Sequence, residues 1–179
     1  MKPDRVRIEG DRVTLRPLRM DEFESTYAAR LEEDPTVQPI VPERDALLAR
    51  FERSGIMQDG ALDLAIEVDG RKIGEIQTYL PPGRELPPGA FEVGIGIDDP
   101  SLRGRGYGTE AVRLLVGWLF SGMGATRVHM PTVPTNRAMR TVRERLGFVA
   151  EGTVHELGLE FVFYVVTREA WSPAGIPPA

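Results

Sequence analysis

The spacing of apolar residues changes period repeatedly along the chain, and each change marks an element. Residues 13–18 (VTLRPL) carry strand formers and read as a first β-strand. After Asp21, a helix-capping residue type, Phe23, Tyr27 and Leu31 recur at four-residue spacing and predict a helix to about Glu33. Asp34-Pro35 ends it, because proline pushes the preceding residue out of helical backbone space. Pro42 opens a second helix, with Ala46, Leu47, Leu48 and Phe51 as its apolar positions and Gly55 as its stop. Residues 61–68 and 73–80 are β-rich runs on either side of Asp69-Gly70, the dipeptide of a tight hairpin turn.

Prolines and glycines at 81–89 (PPGRELPPG) exclude regular structure there and predict a loop. A strand at 91–97 follows, then a helix from Thr109 to about Ser121 and a short strand at 126–130. A further helix runs from Asn136 to Leu146 and is broken by Gly147; Phe148 begins another strand, and 161–166 is the last. The order is a strand, two helices, a three-strand meander, then helix, strand, helix and two strands. That order predicts a mixed α/β (α+β) layer structure. No repeat and no linker interrupts it, so residues 1–170 read as a single domain and 171–179 as a loose C-terminal tail.

Composition narrows the chemistry. The chain has 179 residues, 41% of them hydrophobic, enough for a sizeable core. A net charge of -5 argues against a general nucleic-acid footprint, which needs a basic surface. The lack of cysteine removes disulfides, thiolate metal sites and a cysteine nucleophile together. With His129 and His155 as the only histidines, a histidine metal cluster or a serine–histidine triad has little material, and no metal is expected. No apolar N-terminal region and no long apolar run is present, so no membrane partner is expected and the assignment is cytoplasmic.

Three features then converge. Gly94 and Gly96 interrupt the strand FEVGIGI, where glycine signals a bulge or the close approach of a ligand or backbone. Gly104, Gly106 and Gly108 directly precede a helix, letting successive amides turn inward at the positive end of the helix dipole. Arg103 and Arg105 add guanidinium donors. Together these describe a pyrophosphate-type anion site; an ordinary glycine-rich connection fits the spacing equally well. The dinucleotide fingerprint does not fit, since the spacing here is Gly-x-Gly-x-Gly.

The stretch Arg103-Gly104-Arg105-Gly106-Tyr107-Gly108-Thr109-Glu110-Ala111 resembles the acyl-coenzyme A signature of the GNAT superfamily of N-acetyltransferases, Arg/Gln-x-x-Gly-x-Gly/Ala. In its extended form it resembles the branch of ribosomal-protein N-terminal acetyltransferases. Residues 135–148 (TNRAMRTVRERLGF) resemble that branch's Asn-x-x-Ser…Leu-Gly-Phe helix and turn. The resemblance implies the GNAT fold: a mixed, mostly antiparallel sheet of roughly six to seven strands flanked by about four helices. It implies acetyl-coenzyme A as co-substrate. The pantetheine arm would lie along a splayed, bulged strand at Ile95, Gly96 and Ile97. The pyrophosphate would sit on the amides of Arg103, Gly104, Arg105, Gly106, Tyr107, Gly108 and Thr109. Asn136 would start the second-motif helix and reach the cofactor. Residues 136, 140 and 143 share a helical face, so Arg140 and Arg143 either meet phosphates or form a solvated face. Ala138, Val142 and Leu146 share the face expected toward the core.

The implied chemistry is direct attack of a neutral amine on the thioester, with a carboxylate taking the proton and backbone N–H groups holding the oxyanion. Candidate bases are Glu92, Glu75 and Glu156, the last beside His155. Two positions depart from the family pattern. Arg143 stands where some members have tyrosine, and Met139 stands where the related branch often has serine. Methionine cannot donate a hydrogen bond, so no leaving-group donor is assigned. The acceptor is expected to be a primary amine of a small molecule or a peptide N-terminus, bound by a monomer or homodimer. Glu32, Glu33, Asp34, Glu151, Glu156 and Glu160 in the expected acceptor walls suit a cationic acceptor. The alternative is a non-catalytic acyl-coenzyme A-binding module of the same fold.

Overall fold

A computed structural model describes residues 4–32, 43–81, 83–156 and 158–172, the side chain of Glu156 excepted. Eight strands form one sheet in the order β1-β2-β3-β4-β5-β6-β8-β7. They are β1 (Ile8–Glu9), β2 (Thr14–Arg16), β3 (Leu62–Val68), β4 (Arg71–Tyr79), β5 (Ala90–Ile97), β6 (Arg127–Thr132), β7 (Val149–Glu156) and β8 (Leu159–Thr167). Among the pairs, β5–β6 alone is parallel. The helices are α1 (Phe23–Glu32), α2 (Arg44–Arg53), α3 (Tyr107–Gly122) and α4 (Arg137–Leu146).

The α3 helix explains the main core. Ala111, Val112, Leu115, Val116 and Leu119 form one apolar stripe, and each is fully buried. They pack with Leu15, Leu64, Ile66, Ile76, Val93 and Val128 from the strands, and Val142 and Leu146 of α4 complete the cluster. The opposite face of the sheet carries a smaller cluster in which Leu18, Phe23, Leu47 and Phe51 meet Ala65, with the Phe23 and Phe51 rings edge-on at 5.3 Å. The α1 and α2 helices therefore cover one face, and α3 and α4 the other.

Most predicted elements are present, with instructive differences. The eighth strand is β1, whose two residues pair with Leu15 and Thr14; a segment that short has no period to read. Asp69-Gly70 closes the β3–β4 hairpin as expected, with φ of 50° and 76°. Asp21 lies inside a 3-10 turn, Met20–Glu22, and α1 proper begins at Phe23. The predicted helix boundaries at Asp34-Pro35 and Pro42 lie outside the described residues. In α4, Val142 and Leu146 face the core as expected, with Met139 packed beside them, whereas Ala138 is exposed. Trp171, placed by the sequence reading in a loose tail, packs on Phe120 with ring centroids 5.8 Å apart.

One close backbone approach sets the middle of the sheet. Gly74 pairs with Ile97, and a Cβ on Gly74 would collide with the Gly96 carbonyl oxygen. The clash is with backbone, so no rotamer change relieves it. Gly74→Ala is expected to destabilise the fold by about 1–3 kcal/mol, read as a lower urea midpoint at unchanged m-value.

Candidate active site

Between β5 and β6 the sheet opens. On its β4 side, β5 is paired from Glu92 (with Tyr79) to Ile97 (with Gly74), without a register shift. On its β6 side, pairing covers only Ala90, Phe91 and Glu92, the last opposite His129. Beyond that point β6 stays with β8 as far as Thr132↔Val162. A wedge therefore lies between residues 93–97 and 130–132, with its apex at Glu92–His129. This corrects the expected bulge in β5: its ladder to β4 is regular, and the splay comes from β6 diverging. Alternation puts Glu92, Gly94 and Gly96 on the α1/α2 face, because they pair directly with Tyr79, Gln77 and Glu75. Val93, Ile95 and Ile97 face the α3 side, in or against the main core. A Cβ on Gly96 would meet nothing within 4 Å, so that face of the wedge has room beneath it.

The glycine loop sits at the wedge's mouth. A 3-10 turn, Pro100–Leu102, follows β5, with the Asp99 carboxylate accepting the Ser101 N–H at 2.8 Å. Gly106, at φ 88°, is the residue before α3, a left-handed conformation that glycine adopts without strain. The first intrahelical bond runs from the Glu110 N–H to the Gly106 carbonyl, 3.0 Å. The N–H groups of Tyr107, Gly108 and Thr109 precede that bond and have no acceptor within the helix. They point out of a helix N-terminus at the cleft entrance, a fit for a diphosphate.

The loop's arginines are held by their own backbone. Arg103 donates from Nε and Nη2 to the Ile97 carbonyl at 3.0 and 2.9 Å, tying the loop to the end of β5. Arg105 donates from Nε to the Ser101 carbonyl. Tyr107 packs against the core with the Arg12 guanidinium 5.0 Å from its ring centre. Glu110, part of the glycine motif, ties the start of α3 to the β1–β2 turn. Its carboxylate is buried and accepts the N–H groups of Arg12 and Val13 at 2.8 and 3.1 Å, and Arg12 Nε at 3.3 Å. Burial pushes its pKa up, but those N–H donors and the Arg12 charge outweigh burial and leave it below the ordinary value.

Asn136 does start α4: its Oδ1 accepts the Met139 N–H at 3.2 Å, a helix cap. Arg140 is exposed. Arg143 lies over the Tyr164 ring, 3.8 Å from its centre. Arg145, which sequence reasoning passed over, lines a cavity of about 470 Å³ beside the α3 N-terminus with Arg12, Gly106, Thr109 and Arg113. Which arginine turns toward that helix end depends on the rotation of α4, and no residue pattern signalled it.

The three candidate bases separate. Glu75 is 4% exposed and encircled by Arg30 (3.0 Å), Lys72 (3.3 Å) and Arg50 (3.6 Å). Burial raises its pKa, yet the three cations prevail and hold the carboxyl below the usual range. Glu92 is 2% exposed at the wedge apex, with Oε2 accepting from Arg84 at 2.7 Å. Glu156 lies at the end of β7, and its side chain is outside the described residues. His155 is exposed, 3.7 Å from Glu160. His129, noted in the sequence only for its scarcity, is buried opposite Glu92. Among the described residues no cluster of three or more potential metal ligands occurs, and no helix is long and apolar enough to cross a membrane.

The sequence matches the family described as the acetyltransferase (GNAT) domain over residues 12–149. The chain belongs to the GNAT acetyltransferase family. This GNAT domain is 31% identical over 126 residues to an aminoglycoside N(6')-acetyltransferase type 1 of Klebsiella pneumoniae, a match spanning 66% of this chain and 62% of that relative. It is 35% identical over 88 residues to a kanamycin resistance protein of Rhizobium radiobacter, covering 49% of this chain and 81% of that protein. The crystal structure of the aminoglycoside acetyltransferase AAC(6')-Ib with coenzyme A superposes with a TM-score of 0.73 at 26% identity, over 88% of this chain and 96% of that one.

Glu22, Glu75 and Glu110 all titrate below the ordinary glutamate value of 4.5, each against the opposing effect of burial. Below that value the unfolded chain takes up protons that the folded GNAT domain resists, so stability held above it is lost as pH falls. The urea midpoint is expected to drop between about pH 5 and pH 3. Glu75→Gln removes one carboxylate from a network in which Asp98 still pairs with Lys72 and Asp63 with Arg50; it is expected to cost about 1–3 kcal/mol at pH 7 and to flatten the acid decline.

Proposed function

We propose that this GNAT domain is an acetyl-coenzyme A-dependent N-acetyltransferase acting on a primary amine. The observation that carries the reading is the wedge: unpaired β5 backbone at residues 93–97 leads straight from a helix N-terminus with unused amides to a closed apex. A diphosphate on the amides of 103–109 leaves a pantetheine arm one direction to run. It pairs as an added strand with Ile95, Gly96 and Ile97, and its thioester arrives near Glu92. Arg145 and Arg12 stand nearer the helix end than Arg143 and are the better candidates for further phosphate contacts. Asn136, Arg140 and Arg143 remain candidates on the α4 side.

The acceptor reaches the thioester from the α1/α2 face, since α3 and α4 fill the other. Backbone N–H groups of the splayed β5 segment stabilise the developing oxyanion. Glu92 is the carboxylate nearest the apex and supplies the charge that holds an incoming ammonium. Glu75, one strand away within its cage of cations, serves to brace the sheet and α1. The curated relatives named for aminoglycosides support a small polyamine acceptor over a peptide N-terminus. The extended Arg103–Ala111 motif supports the peptide N-terminus. The match covers less than two thirds of the first of those relatives, so the amine is left to experiment.

Calorimetry with coenzyme A is expected to give 1:1 binding. Gly106→Val, which forces a β-branched residue to positive φ where the diphosphate sits, is expected to weaken binding at least tenfold, or about 1.4 kcal/mol. Thiol release from acetyl-coenzyme A with ribostamycin and with a free-amino dipeptide then separates the two acceptor classes. Binding with no thiol release from any amine favours the non-catalytic acyl-coenzyme A-binding module.

A further inference from the structure

His129 is a buried titratable group that none of the roles above uses. It is 7% exposed, and neither ring nitrogen has a hydrogen-bond partner among the described residues. An unpartnered buried imidazole is costly, and such groups persist where a ligand completes them. Its position gives the reason. His129 is the last β6 residue paired with β5, directly opposite Glu92, at the point where the wedge closes. It shares Glu92's face of the sheet, the side open to the acceptor. Phe163 stands edge-on to the imidazole at 6.1 Å, and the Arg84 guanidinium that binds Glu92 lies 4.4 Å from the centre of the Phe163 ring.

Resting on the acetyltransferase reading, we infer that His129 is the proton carrier of the reaction, accepting the amine proton at the apex and returning it to the departing sulfur. The acceptor, bound as an ammonium, first gives one proton to solvent; the lone pair of the neutral amine then attacks the thioester carbonyl carbon, and the N–C bond forms. A proton leaves that nitrogen for a free imidazole nitrogen of His129. The C–S bond breaks with its electron pair on sulfur, and the imidazolium gives the same proton to the thiolate. The products are the amide and the free thiol, and the imidazole is neutral again. One residue thus fills both the base role and the leaving-group role, for which Met139 offers no donor.

The charged groups around the ring come from every side. Arg127 lies on its own strand, Glu151 on β7, Arg84 on the loop after β4 and Glu92 on β5. Burial first, then Arg127 and Arg84, keep the imidazole neutral to lower pH than an ordinary histidine, with Glu151 opposing. Arg127 and Glu151 are paired at 2.6 Å, which blunts both influences.

The test uses the full chain, parent and His129→Gln. With the reactive amine of the panel, His129→Gln is expected to lower kcat by about 10²–10⁴-fold and to leave the KM for acetyl-coenzyme A within about threefold. The amine's own protonation gives an acidic limb in both proteins; the parent should show a second, steeper break below the ordinary histidine range that vanishes in the variant. A kcat within about twofold of the parent, or that second break persisting in the variant, overturns the inference. Independently of any acceptor, ¹⁵N-histidine spectra of the parent contain two imidazoles, and His129→Gln assigns them. Saturating acetyl-coenzyme A should shift the His129 nitrogens and leave those of His155 in place; unmoved His129 signals in a sample that binds the ligand by calorimetry overturn the inference. Absence of any binding heat instead sinks the acetyltransferase reading itself.

Discussion

A sheet that parts in its middle is the constraint on which the rest of this molecule depends. Strands 4.7–4.9 Å apart normally satisfy each other's backbone groups, and an unpaired buried stretch is expensive. Here β5 keeps β4 and β6 keeps β8, so each strand retains one partner while their shared edge opens beyond Glu92–His129. Behind the sheet, the fully buried apolar stripe of α3 packs with Val93 of β5 and Val128 of β6 in one core cluster. The chain leaves β5, turns through residues 98–106 and enters α3 at the mouth of the same opening. The glycine-flanked helix end and the cleft are thus consecutive in sequence, and Glu110 fixes their relation by binding the β1–β2 turn.

The face opposite α3 is polar in an unusual degree for a sheet covered by helices. Arg16 with Glu22 and Glu67, Arg50 with Asp63, Arg30 and Lys72 with Glu75, and Arg84 with Glu92 follow one another across it. Buried ion pairs contribute little net stability against a hydrophobic alternative, but breaking one partner is costly. Their better-supported effect is geometric, since paired charges fix where α1 and α2 sit over the floor of the wedge. The acidic balance read from composition therefore does not describe this floor, where each carboxylate named is met by a cation. In the same layer the ring nitrogens of His129 have no hydrogen-bond partner among the described residues.

The hairpin at Asp69-Gly70, the loop at 81–89, the glycine entry to α3 and the Asn136 cap were all legible, because each depends on backbone preferences of the residues themselves. Both cofactor motifs were legible for the same reason, as strings of glycines and caps. Other features were not. The two-residue β1 has no periodicity. In α4 the expected Val142 and Leu146 are buried, but the stripe is completed by Met139 and not Ala138. Arg145, not Arg143, lines the cavity at the α3 terminus. The charge environment of Glu75 is built from α1, α2 and β4, and no local window contains it.

Taken alone, the residues determined the kinds and order of the elements, the family and the presence of a glycine cradle at a helix start, since these follow from local conformational energies and short spacings. Tertiary structure alone decided that β6 diverges rather than β5 bulging, that Glu92 and not Glu75 stands at the apex, and that His129 is buried there with no hydrogen-bond partner among the described residues. Those facts depend on which strands lie side by side and which face each side chain takes. Both are set by packing between segments tens of residues apart, and that packing is not written in any single stretch of chain.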